Sequence, residues 1–448
     1  MFVETLADDL TATVDESYTL VVKPAAGSST ATVRAKTVFG VLRSLETFAQ
    51  LSSDDGDGTS ISIASAEVSD APSYAWRGVM VDSGRRFWPV DMLKWLMDAM
   101  QANKLNVLHL HLSDFCRYAV ESKAFPELTA NLTGLQAGFY TRADVANIVQ
   151  YAKMRGIRVV PELDLPGHAR GLLPLEQHGL HFCEPTSSTR SQLYDDAENR
   201  TFEVLSTLLG ELAQLFPDEV LHIGSDETKV VGACSLANTK SLETKVLHFV
   251  EDTLKKRPMA WVNAWSTTHA ATQRTILDTW ATVYGMPDVV TDAGFQCVAS
   301  TYMYLNHVSG PVGAYTMYWR DIAPNVTDAD KKKMLGGEVS MWGDDYCWSN
   351  QCGASPGPTP QAASMYSPES DAAFAASIAG VMFPRAAVGA GSLWNWIAGL
   401  DASSAAFLEL MHVHNSRMMA RGLDTCPNEC ACDVLTRCGK PYNRTNPQ

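Results

Sequence analysis

From Trp76 onward, short apolar runs alternate with longer segments whose apolar positions recur every three to four residues. The runs are RGVMVDS, LNVLHLHLSD, IRVVPELD, EVLHIGSD, PMAWVNAW, TILDTW, CVASTYMY and LGGEVSMW. Near-continuous apolar runs of this length predict strands buried on both faces, as in a parallel sheet. The segments between them read as helices. PVDMLKWLMDAMQANK has Pro89 near its start, where proline costs no hydrogen bond. TRADVANIVQYAKMRG starts on an N-cap threonine, Thr141, and stops at Gly156. RTFEVLSTLLGELAQLF, LETKVLHFVEDTLKK and a last helix, SDAAFAASIAGVMF, continue the series, and GASPGPTPQAAS reads as an inserted loop. Eight strand–helix units predict a (β/α)8 TIM barrel over residues 76–448, with a cysteine-rich tail. The doubly wound alternative is weaker, because no glycine-rich phosphate loop follows the first strand.

Residues 1–75 have a different pattern. SYTLVV and SISIASAEV read as strands around the helix AKTVFGVLRSLETFAQL, in which Val38, Val41, Leu42, Leu45 and Phe48 fall at helical spacing. This predicts a small, incomplete α+β domain before the barrel, too small for a large core of its own.

Composition narrows the function. The chain has 448 residues and a formal net charge of -15, which argues against a nucleic-acid partner. No apolar run is long enough to span a bilayer. Ten cysteines, with no C-x-x-C pair, cluster in loops and in the tail. With the glycosylation sequons at Asn131, Asn199, Asn325 and Asn443, they predict loop-closing disulfides in the secretory pathway, lysosomal or extracellular. The first residues are acidic and lack an apolar signal segment, so the expectation is a chain without its targeting segment.

Catalytic groups of a barrel sit at the C-terminal ends of its strands. There the sequence places Asp82, Arg85 and Arg86; His109, His111 and Asp114; Glu162, Asp164 and His168; and the adjacent pair Asp226 and Glu227. Trp261, Trp265, Asp278, Trp280, Tyr302, Tyr304, Asn306, Trp342 and Asp344 follow on the later strands. Polar strand ends alone only mean contact with water. Acids ringed by aromatic faces point to a sugar site, since rings stack on the C–H face of a pyranose and paired carboxyls move protons. Two alternatives stand beside this reading. One is a metal-dependent hydrolase using His109, His111 and His168, with His222 nearby. The other is a non-catalytic N-acetylhexosamine-binding protein.

RGVMVDSGRRFWPVDMLKWLMDAMQANKLNVLHLHLSD, YTRADVANIVQYAKMRGIRVVPELDLPGHA, HIGSDET, LGGEVSMWGD and FPRAA together resemble glycoside hydrolase family 20, above all its eukaryotic lysosomal-type β-N-acetylhexosaminidases. The resemblance covers nearly the whole chain. It implies hydrolysis of terminal GlcNAc or GalNAc from a glycan, with retention and with no cofactor, the substrate's acetamido oxygen serving as nucleophile. It implies Glu227 as proton donor, with a raised pKa, Asp226 as the ionised group on the acetamido, and a relay through His168 and Asp114. Arg85, Asp164, Glu162, Trp261, Trp280, Tyr304, Asn306, Trp342 and Asp344 would bind the sugar. Cys183 with Cys234, and Cys426 with Cys438, resemble family disulfides. A homodimer is also compatible with the family. The chain departs from the pattern at Leu110 (usually Trp), Ser225 (usually Gly), Asn306 (usually an acid) and Asp344 (often Glu), so substrate preference and rate are open at these positions.

Overall fold

The computed structural model describes residues 1–25, 28–54, 61–132, 137–184, 190–280, 286–307, 315, 318–343, 378–423, 425, 436–437 and 440–441. Its N-terminal part holds strands β1 (Phe2–Val3), β2 (Tyr18–Ala25) and β3 (Ser28–Ala35), then a small hairpin of β4 (Ser52–Asp54) and β5 (Ile61–Ile63), then β6 (Ala66–Asp70). The larger sheet has the order β1-β3-β2-β6. β7 (Trp76–Asp82), β8 (Val107–His111), β9 (Arg158–Leu165), β10 (Val220–Gly224), β11 (Arg257–Trp261), β12 (Ile276–Thr279), β13 (Gln296–Ala299) and β14 (Met334–Met341) follow. All eight pair in parallel with their sequence neighbours, and β14 pairs with β7 to close the barrel.

The predicted strands and the four principal connecting helices are all present. The helices run Val90–Ala102, Arg142–Lys153, Arg200–Leu215 and Leu236–His248. Thr141 caps the second with a reciprocal capping box, its hydroxyl accepting from Asp144 N and the Asp144 carboxylate accepting from Thr141 N. The helix from Leu236 runs into a π-helical turn, Phe249–Thr253. The predicted closing helix is helical over residues 378–382; its earlier part lies outside the described residues, as does the loop GASPGPTPQAAS.

The barrel interior is built in two chemical layers. At the N-terminal end, Trp76, Val107, Val160, Val220, Met259, Ile276 and Val298 form an apolar plug, with Leu335 against it. Each strand contributes one of these residues, which follows from the two-residue period of a strand. Above the plug, the inward positions are His109, His111, Glu162, His222, Asp278 and Glu338, all fully buried. A barrel interior is ordinarily filled by branched apolar side chains. Here the upper layer is ionic, and it supports the rim.

The N-terminal sheet is clamped to the barrel by buried charge. Glu16 accepts from Arg43 and from Arg77, each at 2.7 Å, and from Asn106 Nδ2 at 3.0 Å. This clamp widens the buried face of the helix Val38–Gln50 beyond the expected stripe, of which Val41 and Phe48 pack on the small core. Phe39, Gly40, Arg43 and Ser44 are its buried residues, while Leu45, expected on the apolar stripe, is 44% exposed. The small domain also borrows its core: Trp394, from the helix Arg385–Asn395, packs among Tyr18, Leu20, Val22, Val33 and Ala35.

Candidate active site

β10 ends at Gly224, and the next three residues carry the acid pair. The turn is unusual: Gly224, Ser225 and Glu227 all have positive φ, at 72°, 80° and 47°. A Cβ on Gly224 would lie 1.7 Å from Asp164 Oδ1, so only glycine fits there. Backbone amides fix the turn from below. Gly224 N donates to His222 Nδ1 at 3.0 Å, and Ser225 N donates to Asp164 Oδ1 at 3.2 Å. The turn sends the two acids into different surroundings. Asp226 is buried, and its Oδ1 has no hydrogen-bond partner among the described residues. The Glu227 side chain is 53% exposed.

Behind the pair runs a chain of charges. His168 Nε2 lies 3.5 Å from Glu227 Oε2 and 3.7 Å from Asp226 Oδ2. Its Nδ1 lies 3.3 Å from Asp114 Oδ2. Asp114 also meets Arg85 Nη2 at 2.9 Å and His111 Nε2 at 3.0 Å. Burial acts against charge on His168, but the Asp114 and Asp226 carboxylates outweigh it and hold its pKa well above the usual histidine value. Burial likewise acts against charge on Asp114, and Arg85 and His168 overcome it, so Asp114 stays ionised. The second Arg85 arm donates from Nη1 to Asp82 Oδ2 at 2.8 Å.

This corrects the expectation for Glu227. Its pKa is lowered, first by the hydrogen bond from His168, against a smaller effect of burial. A half-exposed carboxyl facing an imidazolium loses its proton more easily, whatever its acidic neighbour. A raised carboxyl beside the pair is instead Asp164, where burial and then the Asp226 charge push the pKa well up. Asp164 and Glu162 are fully buried beneath the rim rather than lining it. Glu162 accepts from His111 Nδ1 at 2.7 Å and Trp261 Nε1 at 2.8 Å, so the carboxylate orients groups and is not offered to a sugar.

The aromatic wall assembles as expected. Trp261 and Trp342 ring centres are 5.7 Å apart, Tyr304 and Trp342 are 6.1 Å apart, and Trp280 packs on the same cluster. Trp280 Nε1 donates to Asn263 Oδ1 at 2.8 Å, and Arg85 sits 5.2 Å over the Trp342 ring. Burial, then the nearby Asp278 and Asp226 charges, keep the proton on the Tyr304 hydroxyl, so it can donate. Asn306 is buried with its Oδ1 unpartnered among the described residues. Asp344 lies outside them.

Two residues of this site were not singled out from sequence. Glu338 accepts from His109 Nδ1 at 2.9 Å and Trp76 Nε1 at 3.1 Å; an acid inside an apolar strand was the available signal. Glu243, on the helix Leu236–His248, lies behind the turn at Ser225. The trio His109, His111 and His168 does not converge. Among the described residues, donor atoms within 4.8 Å of one another group His109 with Glu162 and His222 or with Asp278 and Glu338. His111 groups with Asp82 and Asp114 or with Glu162 and Asp164, and His168 groups with Asp164 and Asp226.

Cys183 and Cys234 form a disulfide that ties the loop after β9 to the one after β10. Cys297 is buried and free, and Cys426 and Cys438 lie outside the described residues. Asn131 and Asn325 are exposed. Asn199 is half-buried and accepts from Lys245 Nζ at 2.8 Å, while Asn443 lies outside the described residues.

Comparison with known proteins places this geometry. Residues 74–351 match the profile of the glycosyl hydrolase family 20 catalytic domain, and residues 2–51 that of a "beta-acetyl hexosaminidase like" domain. Beta-hexosaminidase subunit beta of Mus musculus is 29% identical over 441 residues, covering 92% of this chain and 75% of that one. Beta-hexosaminidase subunit A2 of Dictyostelium discoideum is 33% identical over 359 residues, covering 74% and 64%. The structure of a chitobiase from Flavobacterium johnsoniae superposes with a TM-score of 0.72 at 25% identity, covering 93% of this chain and 61% of that one. The chain therefore spans three quarters of the mouse relative and less than two thirds of the other two. Since the matched catalytic segment takes in all eight barrel strands, the acid pair and the relay behind it, the chain belongs to glycosyl hydrolase family 20.

Proposed function

We propose that this chain is a retaining exo-β-N-acetylhexosaminidase that removes terminal GlcNAc or GalNAc from glycans, with the acetamido group of the substrate as nucleophile. The observation that carries this reading is the split environment of the acid pair: Asp226 buried with an oxygen that has no partner among the described residues, Glu227 half-exposed beside His168. The free Asp226 oxygen accepts the acetamido N–H. Ionised, it balances the positive charge that grows there as the acetamido oxygen attacks the anomeric carbon. Tyr304 donates to that oxygen. Protonated Glu227 gives its proton to the departing glycosidic oxygen. It then takes one from the water that opens the cyclic intermediate, with His168 tuning each step. Sugar bound over Glu227 removes water from it and favours the protonated form.

The sequons at exposed Asn131 and Asn325 and the Cys183–Cys234 disulfide support placement in the secretory pathway or lysosome. No helix among the described residues is long and apolar enough to cross a membrane. A panel of nitrophenyl β-glycosides tests the reading. The expected result is release from the N-acetylglucosaminide and N-acetylgalactosaminide, none from the plain glucoside, and no effect of a chelator. Equal turnover of the glucoside, or loss of activity to the chelator with recovery on adding zinc, would overturn it.

A further inference from the structure

The turn that carries the acid pair holds a backbone that side chains resist, and the anchors on its site side are not its only ones. Ser225 sits at φ 80°, a region that non-glycine residues rarely adopt. Strain of this kind persists only where the surroundings over-determine it. The backbone amide of Ser225 is held by Asp164. Its side chain points the other way, is fully buried, and has no hydrogen-bond partner of good geometry.

On that far side lies Glu243. It is 1% exposed and not part of the ionic layer of the barrel. The Thr268 hydroxyl, at the end of the short helix after β11, donates to Glu243 Oε2, leaving Oε1 without a partner of good geometry. The Ser225 hydroxyl is close enough to act on the Glu243 carboxyl as a donor. The carboxyl therefore lies between the β10 turn and the segment after β11. Among the described residues no charged side chain shifts the Glu243 carboxyl. The titratable groups of the turn itself are Asp226 and Glu227, and Asp164 holds its Ser225 amide. On its own helix, Lys245 is directed to Asp195 at 2.7 Å.

We propose that Glu243 is a positioning residue for the acid pair: its buried carboxyl clasps Ser225 and Thr268 and fixes the left-handed turn from which Asp226 and Glu227 project. The proposal rests on the hydrolase reading above. It gives Ser225 a purpose, since the hydroxyl is the handle that the clasp holds. Burial pushes the Glu243 pKa up to about 8, in keeping with a carboxyl that stays neutral in the folded chain and ionises readily once unfolded.

Three variants test it: Glu243→Gln, Glu243→Leu and Ser225→Ala. Gln keeps the shape and the polar contacts. The expected result is kcat within about threefold of the parent for Glu243→Gln, and a roughly ten- to hundredfold loss in kcat for Glu243→Leu with KM little changed. Ser225→Ala should show a comparable loss that does not add to that of Glu243→Leu. A folded Glu243→Leu with parental kcat, or independent effects of the two sites, would overturn the proposal. A readout that needs no activity separates this from failure of the hydrolase reading. Between pH 5 and pH 8 the parent holds a proton on Glu243 that its unfolded chain has released, so its Tm falls with rising pH (ordinary Glu pKa about 4.3). Glu243→Gln should flatten that slope. An unchanged slope would show that the carboxyl is not held neutral, which overturns the clasp whether or not the chain hydrolyses sugars.

Discussion

Glu227→Gln is expected to keep its fold and to lose about a hundredfold to ten-thousandfold in kcat, the usual worth of a positioned general acid. Its side chain is half-exposed and Gln keeps its size, so Tm should stay near the parental value. The loss should shrink as the leaving group becomes more acidic, because a dinitrophenolate departs without a proton. The pH profile supplies the sign. In the free protein, His168 holds the Glu227 pKa below the ordinary carboxyl range. The kcat/KM of the parent therefore falls as pH rises through that lowered value, since the protonated form is the competent one. The Gln variant, assayed on the activated substrate, lacks this limb. Equal losses on activated and unactivated leaving groups would remove Glu227 from the role of proton donor.

Asp226→Asn is expected to cost about a hundredfold to a thousandfold in kcat, the scale of losing one electrostatic partner of a developing charge. The buried Oδ1 of Asp226 is an acceptor turned away from His168, and an amide in its place can turn a donor toward the acetamido N–H. The substitution has a second effect. Asp164 keeps its proton through burial and the Asp226 charge, so removing that charge lowers the Asp164 pKa toward the usual range. A thiazoline mimic of the cyclic intermediate should inhibit the parent strongly and the variant weakly. Equal inhibition of both would separate Asp226 from the acetamido group.

The barrel was legible in the sequence because its strands are buried on both faces, and burial of that kind leaves uninterrupted apolar runs. β3 was not legible, since SSTATVRA is polar and small and takes its place by pairing along β2. The helix after it was legible only in part. Its buried face also takes in Arg43, paired with Glu16, which no periodicity of apolar residues encodes. At the site, the identities of the acids and aromatics could be read from the strand ends. Their depth could not. Glu162 and Asp164 read as rim residues and lie below the rim, because inward positions of a strand alternate while their height depends on barrel register. The opposite pKa shifts of Asp164 and Glu227 were beyond sequence for the same reason: they depend on depth and on the distance to His168, which the loops set.

The ionic layer within the barrel has a consequence for the conditions in which the molecule is most stable. Asp114 and Glu162 have lowered pKa values, so their contribution is present above about pH 4 and is lost as pH falls through those values. His109, raised to about 10, and His111 and His168, also raised, contribute fully below about pH 6.5 and lose that contribution as pH climbs toward their folded values. The two sets overlap only between about pH 4 and pH 6.5. Thermal unfolding measured across pH should therefore crest in mild acid and decline toward neutrality. His222, whose pKa burial lowers, is the member of the layer that works against this on the acid side.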